Sequence, residues 1–168
     1  DRPNAAAAHR PGLTQVLGAP MKEKYRWLVM FAATIVFALS LFLPALMFHE
    51  HEPAPGYLVL LLGWAGIFYG GKVAWFANVA FIFAFLACGL GYFRAARYVS
   101  IASIALCSLS FQADEWWFNE GYGTPIASLG LGFYVWTLSL LILAIGSWML
   151  SAPNNSFKPS PLRGLGTD

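Results

Sequence analysis

An all-α, four-helix transmembrane bundle is the fold class this sequence predicts, and three observations predict it. Hydrophobic residues make up 58% of the chain and charged residues only 11%, whereas soluble domains carry about 25% charged residues. Apolar runs near 20 residues recur along the chain, the length a helix needs to cross about 30 Å of hydrocarbon. The few charges sit between these runs, sorted by sign.

Residues 1–24 read as a polar tail, and Met21 opens MKEKYRW like a natural start. The first apolar run, 27–48, is 22 uncharged residues, about 33 Å as a helix. A signal peptide is the competing reading, but the run is long for one and no small-x-small cleavage site precedes His49. Pro44 removes the hydrogen bond to Ser40 and is expected to kink the last turns.

After a polar loop, the stretch 57–93 is almost wholly apolar, broken only by Gly70, Gly71 and Lys72. It is too long for one span and short for two. The part 73–93 spans; 57–71 is expected to dip in and leave on the same side. Glycines 63, 66, 70 and 71 let it bend and pack closely. Two further spans follow, 95–113 and 126–150, and a second polar tail closes the chain at 152–168.

Charge decides between four spans and five. With both termini cytoplasmic, four spans place nine of the ten Lys and Arg residues inside, all but Lys72. Five of the eight acids (Glu50, Glu52, Asp114, Glu115, Glu120) then fall outside. Five spans would put Arg94 and Arg97 outside, against the positive-inside rule. Lys72 is expected to snorkel to the outer headgroups. Tyr25, Trp27, Tyr92, Tyr98 and Trp148 fit an inner aromatic girdle, and Tyr57, Trp75, Trp116, Trp117 and Tyr122 an outer one.

Lipid tails are as apolar as leucine, so helices in a membrane associate through small residues and a few polar contacts. Seams at three-four spacing supply them: Ser128, Gly132, Ser139 and Gly146 in the last span, and Ser103 and Cys107 in the one before. Ala77, Ala84 and Cys88 form a third.

Candidate chemistry is sparse. No ionisable residue lies at the middle of an apolar run, which argues against a pump or proton-coupled transporter. Asn78 is the polar exception and is expected to hydrogen-bond a neighbouring helix near the outer interface. His49, Glu50 and His51 are the most ligand-like cluster, and imidazole with carboxylate suits zinc or copper; a solvated loop is the plainer reading. Asp114, Glu115, Trp116 and Trp117 combine acids with tryptophans of the kind found at binding hot spots, against headgroup anchoring as the alternative. No nucleophile–base set, phosphate loop or nucleic-acid patch appears, so an enzyme is not expected. If a ligand groove exists, it is expected where 57–71 meets the loops 49–56 and 113–125.

Leu43-Pro44-Ala45-Leu46, Gly63-Trp64, Ala74-Trp75-Phe76-Ala77-Asn78 and the set Gly130, Gly132, Phe133, Tyr134, Trp136, Ser139 resemble an uncharacterised family of small bacterial multi-span membrane proteins. The resemblance implies a bacterial inner-membrane location and a small polytopic architecture. It brings no activity or cofactor. The function expected is therefore non-enzymatic, exercised through lipids, other membrane subunits or self-association, with no nucleic acid. Alternatives are a metal- or small-ligand-binding protein using the periplasmic loops, and an immunity-type protein that binds a membrane toxin.

Overall fold

In the computed structural model the described residues are 13–68, 72–117 and 123–152, with side chains described from residue 21. Of the expected tails at 1–24 and 152–168, the parts 1–12 and 153–168 lie outside them.

The first helix, α1 (Leu13–Phe42), runs 30 residues, so the polar stretch 13–24 is helical rather than a tail. Once an apolar run has nucleated a helix, elongation adds a bond for each residue fixed; here it includes Gly18 and Pro20, two residues that disfavour a helix interior. At its other end α1 does not kink at Pro44; it stops. The proline ring clashes with the carbonyl four residues back and lacks an N–H. Leu43 N–H donates to Ser40 O at 3.3 Å, and Ser40 Oγ donates to Phe37 O at 2.6 Å. The chain then continues as strand β1 (Pro44–Phe48).

This strand is the main departure from the all-α expectation. It belongs to a four-stranded antiparallel sheet, ordered β2-β1-β4-β3, with β2 (Ala54–Pro55), β3 (Glu115–Trp117) and β4 (Gly123–Leu129). Leu46 lies opposite both Ala54 and Leu129, and Phe48 opposite Ile126. The expected span 126–150 therefore begins only at Leu131, where α5 (Leu131–Ser151) starts. Ser128 is not a helix-packing residue: it sits exposed in β4 opposite Met47. A short apolar run such as IASL carries no decisive period, and pairing with β1 makes it a strand. Gly130, extended at φ −87° and ψ 176°, turns the chain from β4 into α5.

Between β2 and the next long helix lie α2 (Gly56–Leu62) and a 3-10 turn (Gly63–Ile67). Helix α3 (Phe76–Gly89) is 14 residues, shorter than the 73–93 expected. Helix α4 (Phe93–Ser108) follows through a tight turn at Gly91, whose φ of +84° suits glycine. A 3-10 turn (Leu109–Gln112) extends α4 toward β3.

Helices α1, α5, α4 and α3 pack side by side in that order, with a lighter contact between α3 and α1. The C-terminal end of α1 and the N-terminal end of α5 meet the sheet, and the start of α3 shares a cavity with it. The segment 56–68 begins there too: Gly56 N–H donates to Leu43 O at 3.0 Å, and Trp75 Nε1 donates to Leu60 O at 2.8 Å, which ties the middle of the segment to the start of α3. Lys22, Lys24, Arg26, Arg94 and Arg97 belong to the opposite end. There Arg97 lies 4.7 Å from the Trp148 ring centre and Tyr25 OH is 3.0 Å from Met149 S.

Small and polar side chains share the interior with Val29, Met30, Phe81, Phe133, Leu140, Leu143 and Leu150. Ser100, Ser103, Ser139 and Ser147 are buried with Ala33, Ala77, Ala84, Ala96, Cys88 and Cys107. Ser103 Oγ donates to Ala77 O across the α4–α3 contact at 2.8 Å, and Cys107 Sγ lies 3.4 Å from Thr137 Oγ1 on α5. Gly132 and Gly146 are buried on α5. A methyl group on Gly146 would overlap the Val29 side chain on α1. Many other large apolar residues face outward: Trp27, Phe31, Ile35 and Leu39 on α1, Ile82, Phe83 and Leu86 on α3, Tyr98 and Ile101 on α4, and Tyr134, Leu138, Ile145 and Trp148 on α5.

Gly146→Leu forces α1 and α5 apart, and overpacking of this kind costs about 1–3 kcal/mol. The expected result is a lower thermal midpoint in detergent, partly recovered by adding Val29→Ala. An unchanged midpoint would mean that the two helices do not meet at Gly146.

Candidate functional site

The cavity that stands out lies where the helix ends meet the sheet. It encloses about 330 Å³, inside the range of small-molecule sites. Its roof is the sheet, through Leu46, Ile126 and Trp116. Its walls are Phe37 and Ser40 from α1, Val59 and Leu60 from α2, Trp75 and Asn78 from the start of α3, and Phe133 and Trp136 from α5. Lys72 and Glu115 line it as well. The described part of 57–71 and residues 113–117 meet here, and the sequence points to that neighbourhood as the place for a groove.

The aromatic wall is held in place from several directions. Phe133 packs edge-on against Phe111, with centres 5.4 Å apart, and tilted against Trp136 at 5.7 Å. Phe37 stacks on Phe81 at 5.2 Å. Trp75 lies so close to Gly63 that a Cβ there would come within 2.6 Å of its indole ring. Its N–H is taken by the Leu60 carbonyl, which ties α2 to the start of α3.

Asn78 is the central polar group, with 8% exposure. Trp136 Nε1 donates to its Oδ1 at 3.0 Å, and its Nδ2 donates to Trp75 O at 3.0 Å. The indole N–H is a donor only, so the amide orientation follows. The bond to Trp136 on α5 is the cross-helix contact anticipated for Asn78. Among the described residues one amide hydrogen is left over. Ser40, 2% exposed, spends its hydroxyl hydrogen on Phe37 O and keeps its lone pairs.

At the rim, Lys72 forms an ion pair with Asp114. Lys72 is thus paired within the protein rather than extended to headgroups. The lysine ammonium, by hydrogen bond and charge, holds the Asp114 carboxyl below its ordinary range. Glu115 is exposed in the same rim, and among the described residues no cation is bonded to it.

The other singled-out residues fall outside this constellation or on its edge. His49, Glu50 and His51 are exposed in the β1–β2 connection. Asp114 and Glu115 do not join them. Strand β4 lies between β1 and β3, which separates the two groups by two strand spacings, about 10 Å. Among the described residues no three His, Cys, Asp or Glu side chains are grouped as metal ligands. Trp116 and Trp117 form β3 and are half-buried against the cavity. The sequence reading missed Phe37, Ser40, Phe133 and Trp136 as site residues. The signal available was punctuation: prolines at 44, 55 and 125 and glycines at 123 and 130 bracket strands rather than helix ends.

Comparison with known proteins finds no matching family, no matching curated protein and no matching solved structure.

The Asp114 shift gives a signed expectation. A depressed folded pKa stabilises the rim above the ordinary carboxylate range, near 3.9, and the contribution disappears as pH falls through the depressed value. In Lys72→Gln, the Asp114 carboxyl should titrate closer to its ordinary range when followed by carboxyl carbon NMR. The same titration in both proteins would show that the pair does not form.

Proposed function

We propose that this chain is a four-span protein of the bacterial inner membrane, with both termini cytoplasmic, that works by binding rather than by catalysis. The observation that carries this reading is the outward apolar surface of the helices. Trp, Phe, Leu and Ile side chains cover the outside of α1, α3, α4 and α5, while serines, alanines, cysteines and glycines share the interior with a smaller set of large apolar residues, among them Phe81, Phe133, Leu140 and Leu143. An apolar belt of that extent needs an apolar surrounding, and small inward residues are how helices associate in lipid. Two helices, Met21–Phe42 and Leu131–Ser151, are long and apolar enough to cross a membrane.

The two shorter helices fit the same reading. Helix α4 with its 3-10 extension reaches about 32 Å. Helix α3 reaches only about 21 Å, but α2 and the 3-10 turn cover its start, and irregular backbone at depth is tolerated against protein. The five basic residues at one end and Glu50, Glu52, Asp114 and Glu115 at the other support an orientation with the sheet outside.

The cavity at the sheet end supports binding at that end. Its buried polar groups, Asn78 and Ser40, are committed to structural hydrogen bonds and supply recognition rather than acid–base chemistry. A partner subunit or second copy would use the outward belt, which lipid also covers.

Reporter fusions after Gly56, Arg97 and Gly123 test the placement. The expected pattern is periplasmic, cytoplasmic, periplasmic. A cytoplasmic signal at Gly123 would overturn the four-span reading.

A further inference from the structure

We infer that the cavity beneath the sheet binds an uncharged, ring-bearing lipophile with a carbonyl oxygen, drawn from the membrane, and that Asn78 Nδ2 donates to that oxygen. The inference rests on the proposed binding role and goes beyond it by naming the ligand's chemistry.

Size comes first. At about 30 Å³ per water-sized group, 330 Å³ admits roughly eleven such groups. That suits a bicyclic or two-ring compound and is small for a phospholipid. Wall chemistry comes second. Phe37, Trp75, Phe133 and Trp136 offer aromatic surfaces, which favour flat partners through offset or edge-on contact.

Polarity decides the rest. Among the described residues the Asn78 amide keeps one hydrogen with no partner, because Oδ1 faces the Trp136 indole and the other hydrogen goes to Trp75 O. Leaving a donor unmade in a buried site is unfavourable, and a ligand carbonyl satisfies it. No ionised side chain accompanies Asn78 and Ser40 among the deeper lining residues, so a charged ligand group would be buried there unpaired. Among the described residues at the rim Lys72 is neutralised by Asp114, and Glu115 leaves one excess negative charge. Carboxylates and phosphates are disfavoured at that entrance.

The full chain in phosphatidylcholine nanodiscs can be photolabelled with benzophenone, a neutral diaryl ketone that on irradiation inserts into neighbouring C–H bonds. Labelling is mapped by mass spectrometry. The expected result is saturable labelling of 44–48, 56–66 and 126–136, displaced by menadione, a neutral ring dione, and not by palmitate. Asn78→Leu should raise the half-saturating concentration roughly fivefold, the worth of one neutral hydrogen bond. Val59→Trp, which fills the cavity without touching its polar groups, should abolish the saturable component. Labelling spread over the outward helix faces without saturation would overturn the inference, as would displacement by palmitate in preference to menadione. If either variant fails to fold, the map and competition on the unaltered chain still decide. Reporter fusions that give four spans alongside non-saturable labelling would sink the ligand and leave the membrane reading intact.

Discussion

The end of α1 governs the rest of the molecule. Pro44 forbids another helical turn, yet the residues that follow, Ala45, Leu46 and Phe48, are buried. Buried backbone N–H and C=O groups must find partners. Strand β4 supplies them on one side and β2 on the other. The approach is tight: a Cβ on Gly130 would collide with the Pro44 carbonyl, and one on Gly132 would come within 2.6 Å of the Leu43 oxygen. Those two glycines let the start of α5 close on the end of α1, and that closure sets the sheet across the bundle end.

From that closure the cavity follows. The sheet lies across the helix ends rather than between helices, so the space beneath it is bounded by side chains from unlike elements. Segment 56–68 closes one side. Its anchoring to Trp75 through the Leu60 carbonyl, and the Lys72–Asp114 pair beyond it, hold it against α3 and the β3 edge. The exposed Lys72–Asp114 pair contributes position more than stability, as surface ion pairs do. Asn78 and Trp136 tie α3 to α5 just below the roof.

Much of the helical part is legible in the sequence. The apolar lengths mark α1 and α5, and the spacing of Ser103 with Cys107, and of Gly132 with Ser139 and Gly146, marks faces that the structure buries. Asn78 stands out because a lone amide in an apolar run needs a partner. The sheet is not legible in the same way. Residues 44–48 and 126–129 are as apolar as the helices they adjoin, and in runs of four or five residues a strand and a helix look alike. Ser128 shows the consequence: at helical spacing from Gly132 it reads as a seam residue, and one strand pairing moves it to the exposed face of β4.

The sequence by itself determined the apolar character of the chain, the sorting of its basic and acidic residues, and the small-residue faces on which the helices pack, because composition and helical period are local properties. Only the tertiary structure decided that α1 stops at Pro44 instead of bending there, that a four-stranded sheet covers one end, and that Phe37, Ser40, Asn78, Phe133 and Trp136 share one cavity. These depend on contacts between residues tens of positions apart, β1 with β4 above all. A strand takes its identity from the partner it pairs with, and no local stretch of sequence names that partner.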